Sequence, residues 1–245
     1  MTTRLTVEYD GTDFRGWATQ PGQRTVQGEL ERAIATVLRR PVRLTVAGRT
    51  DTGVHALANV ASYDGEPVRI DAMNALLPPD VSVLASETAP EGFNARFDAT
   101  SRAYCYRVLG RPGKAALTRR HVLHVRQRFD PAVLWACAAL LPGTHDFSAF
   151  TPSDTHHVRF ERDVFAARWE RQGEELVFWI EADTFMRHMN RILVGTMLEA
   201  ARGLRSVESF GALLAGAPRA SAGATAPPHG LCLAGVGYAG RRVLR

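Results

Sequence analysis

The sequence predicts an α+β protein of two similar halves, each a mostly antiparallel sheet with helices packed on one face. Three observations predict it. Strand and helix periodicities alternate as β-α-β-loop-β-α-β across residues 4–87, the order of a split βαβ sheet. A mixed pattern of strands and helices begins again after Arg102. Turn and cap residues punctuate both stretches. The division falls between residues 98 and 99, giving an N-terminal half, 1–98, and a C-terminal half, 99–245.

Each element has its own signal. Leu5, Val7 and Tyr9 alternate with polar residues before the Asp10-Gly11-Thr12 turn, so a strand is expected near 4–9. Val26, Leu30, Ala33, Ile34, Val37 and Leu38 recur at helical spacing, giving a helix near 26–39 that Pro41 ends. Val42 to Val46 and Ala58 to Tyr63 read as strands on either side of a polar loop. A helix near 70–77 stops before Pro78-Pro79, and Val81 to Glu87 returns as a strand. Farther on, Tyr104, Tyr106 and Val108 alternate. Asp130-Pro131 starts a helix, an acceptor cap followed by proline in the first turn, and Pro142-Gly143 ends it. Strands are expected near 158–170 and 175–183, helices near 186–201 and 206–215, and a last strand at 231–238. The Ala-, Pro- and Ser-rich stretch 216–229 reads as loop.

The totals bound the function. Hydrophobic residues make up 45% and charged residues 22% of 245, ordinary for a soluble globular protein. The net charge of +5 permits a polyanionic partner without demanding one. Lys114 is the single lysine, so all but one of the 30 basic residues are arginine. A GC-rich coding bias accounts for that better than nucleic-acid binding does, so it does not count as evidence for nucleic acid. Cys105, Cys137 and Cys232 are scattered, which fits free thiols in a reducing compartment better than a disulfide framework. The N-terminus has no apolar signal core, and no 18-residue apolar run occurs. These features lead to the expectation of a cytoplasmic protein without membrane contact.

The most informative segment is Ala47-Gly48-Arg49-Thr50-Asp51-Thr52-Gly53-Val54-His55-Ala56. One carboxylate lies between two glycines, which suit a tight loop that aims a side chain outward. A loop tip holding a carboxylate and a guanidinium is costly to fix in place without a task, so Asp51 is the candidate catalytic group. Asp51-Thr52-Gly53 is also the aspartic-peptidase triplet, whose chemistry requires two such carboxylates. No second copy exists: Asp154-Thr155 is followed by His156, and Asp183-Thr184 by Phe185. Pairs at His121/His124 and His156/His157 lack a convergent third ligand, so no metal is expected.

The Asp51 segment resembles the signature A-G-R-T-D-x-G-V-H-A of the tRNA pseudouridine synthase A family. Further matches follow in register. Residues 9–17 are similar to Y-D-G-T-x-F-x-G-W, and Gln20-Pro21 with Thr25–Glu31 to the segment after it. Asn94-Ala95-Arg96-Phe97 with Arg102-Ala103-Tyr104-Cys105-Tyr106 resembles F-x-A-R-F…R-x-Y-x-Y. Phe185 to Arg191 resembles F-x-x-x-M-x-R, and Gly230-Leu231 a G-L-x-L ending. Two positions depart from the pattern: Thr52 stands where Ala or Lys is common, and Ala18 replaces a glutamine.

The resemblance implies conversion of uridine to pseudouridine in the anticodon stem-loop of tRNA, at positions 38, 39 and 40. It also implies a homodimer, no cofactor, and a catalytic cleft between the halves. It assigns catalysis to Asp51, with Arg191 as ion-pair partner and Tyr104 contacting the base. Arg49 then serves base flipping, while His55 and Arg187 are candidate RNA contacts. Read alone, each has a plainer role: Arg49 and Arg187 as surface charges, Tyr104 as core, His55 as a structural hydrogen bond. A non-catalytic RNA-binding module would carry the same electrostatic footprint.

Overall fold

The computed structural model describes residues 1–155 and 157–244, which divide into two compact units. The first comprises Met1–Arg102 with Cys232–Val243, and the second Ala103–Leu231 with Leu244.

In the first unit, β1 (Thr2–Tyr9) pairs antiparallel with both β3 (His55–Asp64) and β4 (Val81–Ala89). The chain's last strand, β10 (Leu231–Tyr238), lies parallel to β3, giving the order β4-β1-β3-β10. Leu5, Val7 and Tyr9 are buried on β1, as their alternation predicts. Helix α1 (Val26–Leu38) is capped by Thr25, whose hydroxyl accepts from Gly28 N, and stops at Arg39 in the left-handed region. Its Val26, Leu30, Ala33 and Ile34 are buried. The short α2 (Ile70–Leu76) buries Met73.

The expected strand over 42–46 shrinks to β2, Thr45–Val46, paired with β3. The cause lies in α1. Glu31 Oε1 accepts from Leu44 N at 2.8 Å, and Gln27 Nε2 donates to Leu44 O at 3.5 Å. Helix side chains thus take the ladder groups that a neighbouring strand would have used.

In the second unit β5 (Ala99–Gly110, from Ala103 onward), β9 (Glu175–Ala182), β8 (Glu161–Gln172) and β7 (Gly143–Asp146) follow in that order. The β8–β9 hairpin turns at Gly173-Glu174, with Gln172 opposite Glu175. The three-residue β6 (Leu123–Val125) runs parallel to β5. Strands β6 and β7 are additions to the sequence reading; Gly-Thr-His-Asp shows no apolar alternation because β7 buries little.

Helix α3 (Pro131–Ala139) begins as the Asp130-Pro131 pair predicts: Asp130 Oδ1 accepts from Ala132 N at 2.9 Å. It ends at Leu140, ahead of Pro142. Replacing Asp130 by alanine orphans that amide, so unfolding free energy should fall by about 1 kcal/mol. Urea denaturation with an unchanged m-value checks it. Helix α4 (Met189–Ala201) starts three residues later than its apolar spacing suggests, because His188 sits in the left-handed region at φ 62°. Its Met189, Ile192, Leu193, Thr196, Met197 and Ala200 are buried as expected, and Val194 and Leu198 join them. A short α5 (Val207–Ala212) follows, capped by Ser206.

Candidate active site

The loop between β2 and β3 is held by its backbone. Ala47 N donates to Val60 O at 2.9 Å, and Ala47 O accepts from Arg102 Nε at 3.1 Å. Gly48 O accepts from Asn59 Nδ2 at 2.9 Å, Thr50 O from Trp17 N at 3.0 Å, and Asp51 O from Val54 N at 3.1 Å. The Thr50 hydroxyl lies 2.8 Å from that of Tyr9, which accepts from Asn59 Nδ2 at 3.2 Å. Tyr9, Thr50 and Asn59 are all buried, so these bonds are shielded from competing water. Gly53 has φ 78°, the left-handed turn expected of it, whereas Gly48 has no positive φ. The second glycine therefore closes the loop without help from the first.

Asp51 is half-buried at the loop tip, and Arg49 is exposed beside it. His55 is 5% exposed. Its Nδ1 lies 3.0 Å from Gly11 N and 3.1 Å from Asp10 Oδ1, fastening the loop's exit to the turn after β1. Arg102, also buried, spreads its guanidinium over three carbonyls: Ala47, Ala99 at 3.0 Å and Arg96 at 2.8 Å. Sequence reading missed this group as a support of the loop.

Asp51, Arg49 and His55 belong to the first unit; Tyr104, Arg187 and Arg191 belong to the second. Tyr104 is buried on β5 and meets Phe185 edge-on, ring centroids 5.1 Å apart. Arg191, in the first turn of α4, donates from Nε to Ala226 O at 2.8 Å, while its own carbonyl accepts from Ala226 N at 3.0 Å. The next carbonyl, Pro227 O, accepts from the Tyr106 hydroxyl at 2.7 Å. Burial pushes the Tyr106 phenol far above its usual range, and the nearby Arg191 charge opposes this only in part. Tyr106 therefore stays a neutral donor, and residues 226–227 become a fixed mount for Arg191. Arg187 lies ahead of the helix, exposed and ion-paired with Asp154.

Comparison with known proteins bears on this constellation. The family described as tRNA pseudouridine synthase matches residues 5–98 and 137–239. The chain belongs to that family. A tRNA pseudouridine synthase A of Halalkalibacterium halodurans is 42% identical over 93% of this chain and 89% of its own length. One from Bacillus pumilus is 38% identical over 97% and 99%. A solved chain from a Cbf5-Nop10-Gar1 complex covers 80% of this chain and 53% of its own at 12% identity, with a TM-score of 0.36, too slight a likeness to argue from.

Membership of the tRNA pseudouridine synthase family makes the chain an isomerase acting on tRNA. His124 Nε2 is 2.8 Å from Arg111 O, and His157 is held below the usual histidine range by burial and the charges of Arg162 and Arg187. His156 lies outside the described residues. No helix among the described residues is long and apolar enough to cross a membrane.

Proposed function

We propose that the chain isomerises uridine to pseudouridine at positions 38, 39 and 40 of the tRNA anticodon stem-loop, with Asp51 as the catalytic carboxylate. The observation that carries this reading is a half-buried Asp51 at the tip of a loop whose backbone is fixed from four sides, inside the family signature. The reaction breaks the bond between N1 of uracil and C1′ of ribose and joins C5 to C1′. The C5 proton leaves and N1 gains one, so atoms balance without redox change and no cofactor is called for.

Each remaining residue has a part in this proposal. Arg191, mounted on residues 226–227, is the proposed ion-pair partner of Asp51. Tyr104 contacts the freed base, its Phe185 contact fixing the ring plane. A uridine in a stem is stacked, and extruding it costs a few kcal/mol; exposed Arg49 occupies the vacated space. His55 orients the loop. Arg187 exchanges Asp154 for an RNA phosphate, since an exposed ion pair holds by only about 0–1 kcal/mol. Two chains act together as a cytoplasmic homodimer.

Tritium release from C5-labelled uridine in tRNA transcripts tests the proposal. Release is expected from transcripts bearing uridine at positions 38–40 and not from those with cytidine there. Transcripts that bind under saturating protein but release nothing would establish a non-catalytic RNA-binding module instead.

A further inference from the structure

The first unit carries a cavity of about 680 Å³ beside the catalytic loop, lined by α1, residues 42–46, Arg49 and the Asn94–Phe97 turn. That volume falls within the range of about 300–1,000 Å³ typical of small-ligand sites, ample for a nucleotide with its phosphates. Three arginines line it, Arg43, Arg49 and Arg96. Among the described residues no carboxylate pairs with any of the three. The one carboxylate in the lining is Glu31, and it is occupied: Oε1 accepts from Leu44 N at 2.8 Å and from Gln27 Nε2 at 2.7 Å. The lining therefore sets three arginines against one carboxylate, a net positive charge.

Phe97 supplies the second feature. It is 78% exposed, an unusual place for a phenylalanine, and its position is built rather than frayed. Asn94 Oδ1 accepts from both Arg96 N at 3.0 Å and Phe97 N at 3.1 Å, while Asp98 Oδ2 accepts from Asn94 N at 2.8 Å. Arg102 pins the same turn through Arg96 O. The Arg96 guanidinium sits 5.7 Å from the Phe97 ring centroid. An aromatic face held in solvent beside arginines is the arrangement that stacks an unpaired base and grips its phosphates. An acidic protein partner would match the charge but leave the exposed ring unexplained.

From this we infer that the groove is a binding subsite for unpaired RNA, with Phe97 stacking on a base and Arg43 and Arg96 holding the flanking phosphates. Arg49 links it to Asp51, two residues on, so the occupant is the run of nucleotides next to the target uridine. The inference rests on the reading of RNA as substrate. It also gives meaning to Ala18, a departure from the family pattern that lines this groove.

The test measures the affinity of the full chain for a tRNA transcript across a salt series. Phe97→Ala should weaken binding roughly 5- to 150-fold, and Phe97→Tyr should restore it. Arg43→Gln should reduce the slope of log K against log salt by about 0.7, one single-strand phosphate contact. Arg69→Gln, at an exposed residue paired with Asp71 outside the groove, should leave the slope unchanged. Thermal unfolding checks that each variant is folded. Parental affinity in both Phe97→Ala and Arg43→Gln, with tritium release by the parent protein intact, overturns the subsite and spares the proposed activity. Weakened binding in those variants, with no tritium release by the parent, upholds the subsite and overturns the activity.

Discussion

Asp51→Asn should abolish isomerisation, lowering tritium release by at least about 10³-fold, while tRNA affinity and thermal stability stay near the parent's. The magnitude follows from removing the group that does the bond chemistry rather than one that assists it. The selectivity follows from the loop. Its hydrogen bonds run through the backbone of residues 47, 48, 50 and 51 and the Thr50 hydroxyl. Asparagine keeps the shape of the side chain while removing its charge and turning one acceptor oxygen into an amide donor. Single-turnover release at saturating protein separates the chemical step from binding. A variant retaining more than a tenth of parental turnover would remove Asp51 from the reaction; one that lost RNA binding along with turnover would make it a contact residue.

What the sequence revealed, and what it withheld, has a common physical origin. Local signals were legible where the deciding interaction is local. Asp130-Pro131 announces a helix start because a cap needs only its own next few amides. The alternation of Leu5, Val7 and Tyr9 survives because one strand face is buried all along its length. The strand over 42–46 failed for the opposite reason: its fate depended on Glu31 and Gln27, a helix away. The late start of α4 depended on one backbone angle at His188, to which apolar spacing is blind.

The candidate site divides the same way. The motif match singled out Asp51, Arg49, Tyr104 and Arg191, the residues to which the proposed reaction gives roles. It could not expose their mounts. Arg102 falls in the R-x-Y-x-Y match, which says nothing of its task, yet its guanidinium bridges the carbonyls of Ala47, Ala99 and Arg96. Phe97 enters the sequence reading only as a motif position, since nothing in a sequence distinguishes an apolar side chain turned outward. Residues 216–229 read as loop, although their carbonyls and amides bond to α4 at Arg191, Thr196 and Glu199.

That last segment yields the sharpest stability test. Gly195 lies inside α4, one turn after Arg191, and helix propensity alone says that alanine there should stabilise the protein by about 1 kcal/mol. The structure predicts the reverse sign. A Cβ at Gly195 would stand 1.8 Å from Ala224 O, a backbone atom that cannot swing aside as a side-chain tip would. Displacing it strains a whole row of bonds: Gly223 N to Thr196 Oγ1 at 3.0 Å, Ala224 N to Glu199 Oε1 at 3.0 Å, and the two between Ala226 and Arg191. Overpacking costs about 1–3 kcal/mol, and each buried group left unpaired adds about 1–3 more. The net for Gly195→Ala is a loss of about 2–4 kcal/mol, or roughly 4–16 °C in Tm for a chain of this size. Because the same bonds mount Arg191, turnover in the folded variant should drop by about 10²-fold, the cost of a misplaced group about 1 Å from its productive position. Urea denaturation gives the first quantity and single-turnover tritium release the second. An alanine variant more stable than the parent would show that the 223–227 segment is not seated on α4, and Arg191 would lose its mount.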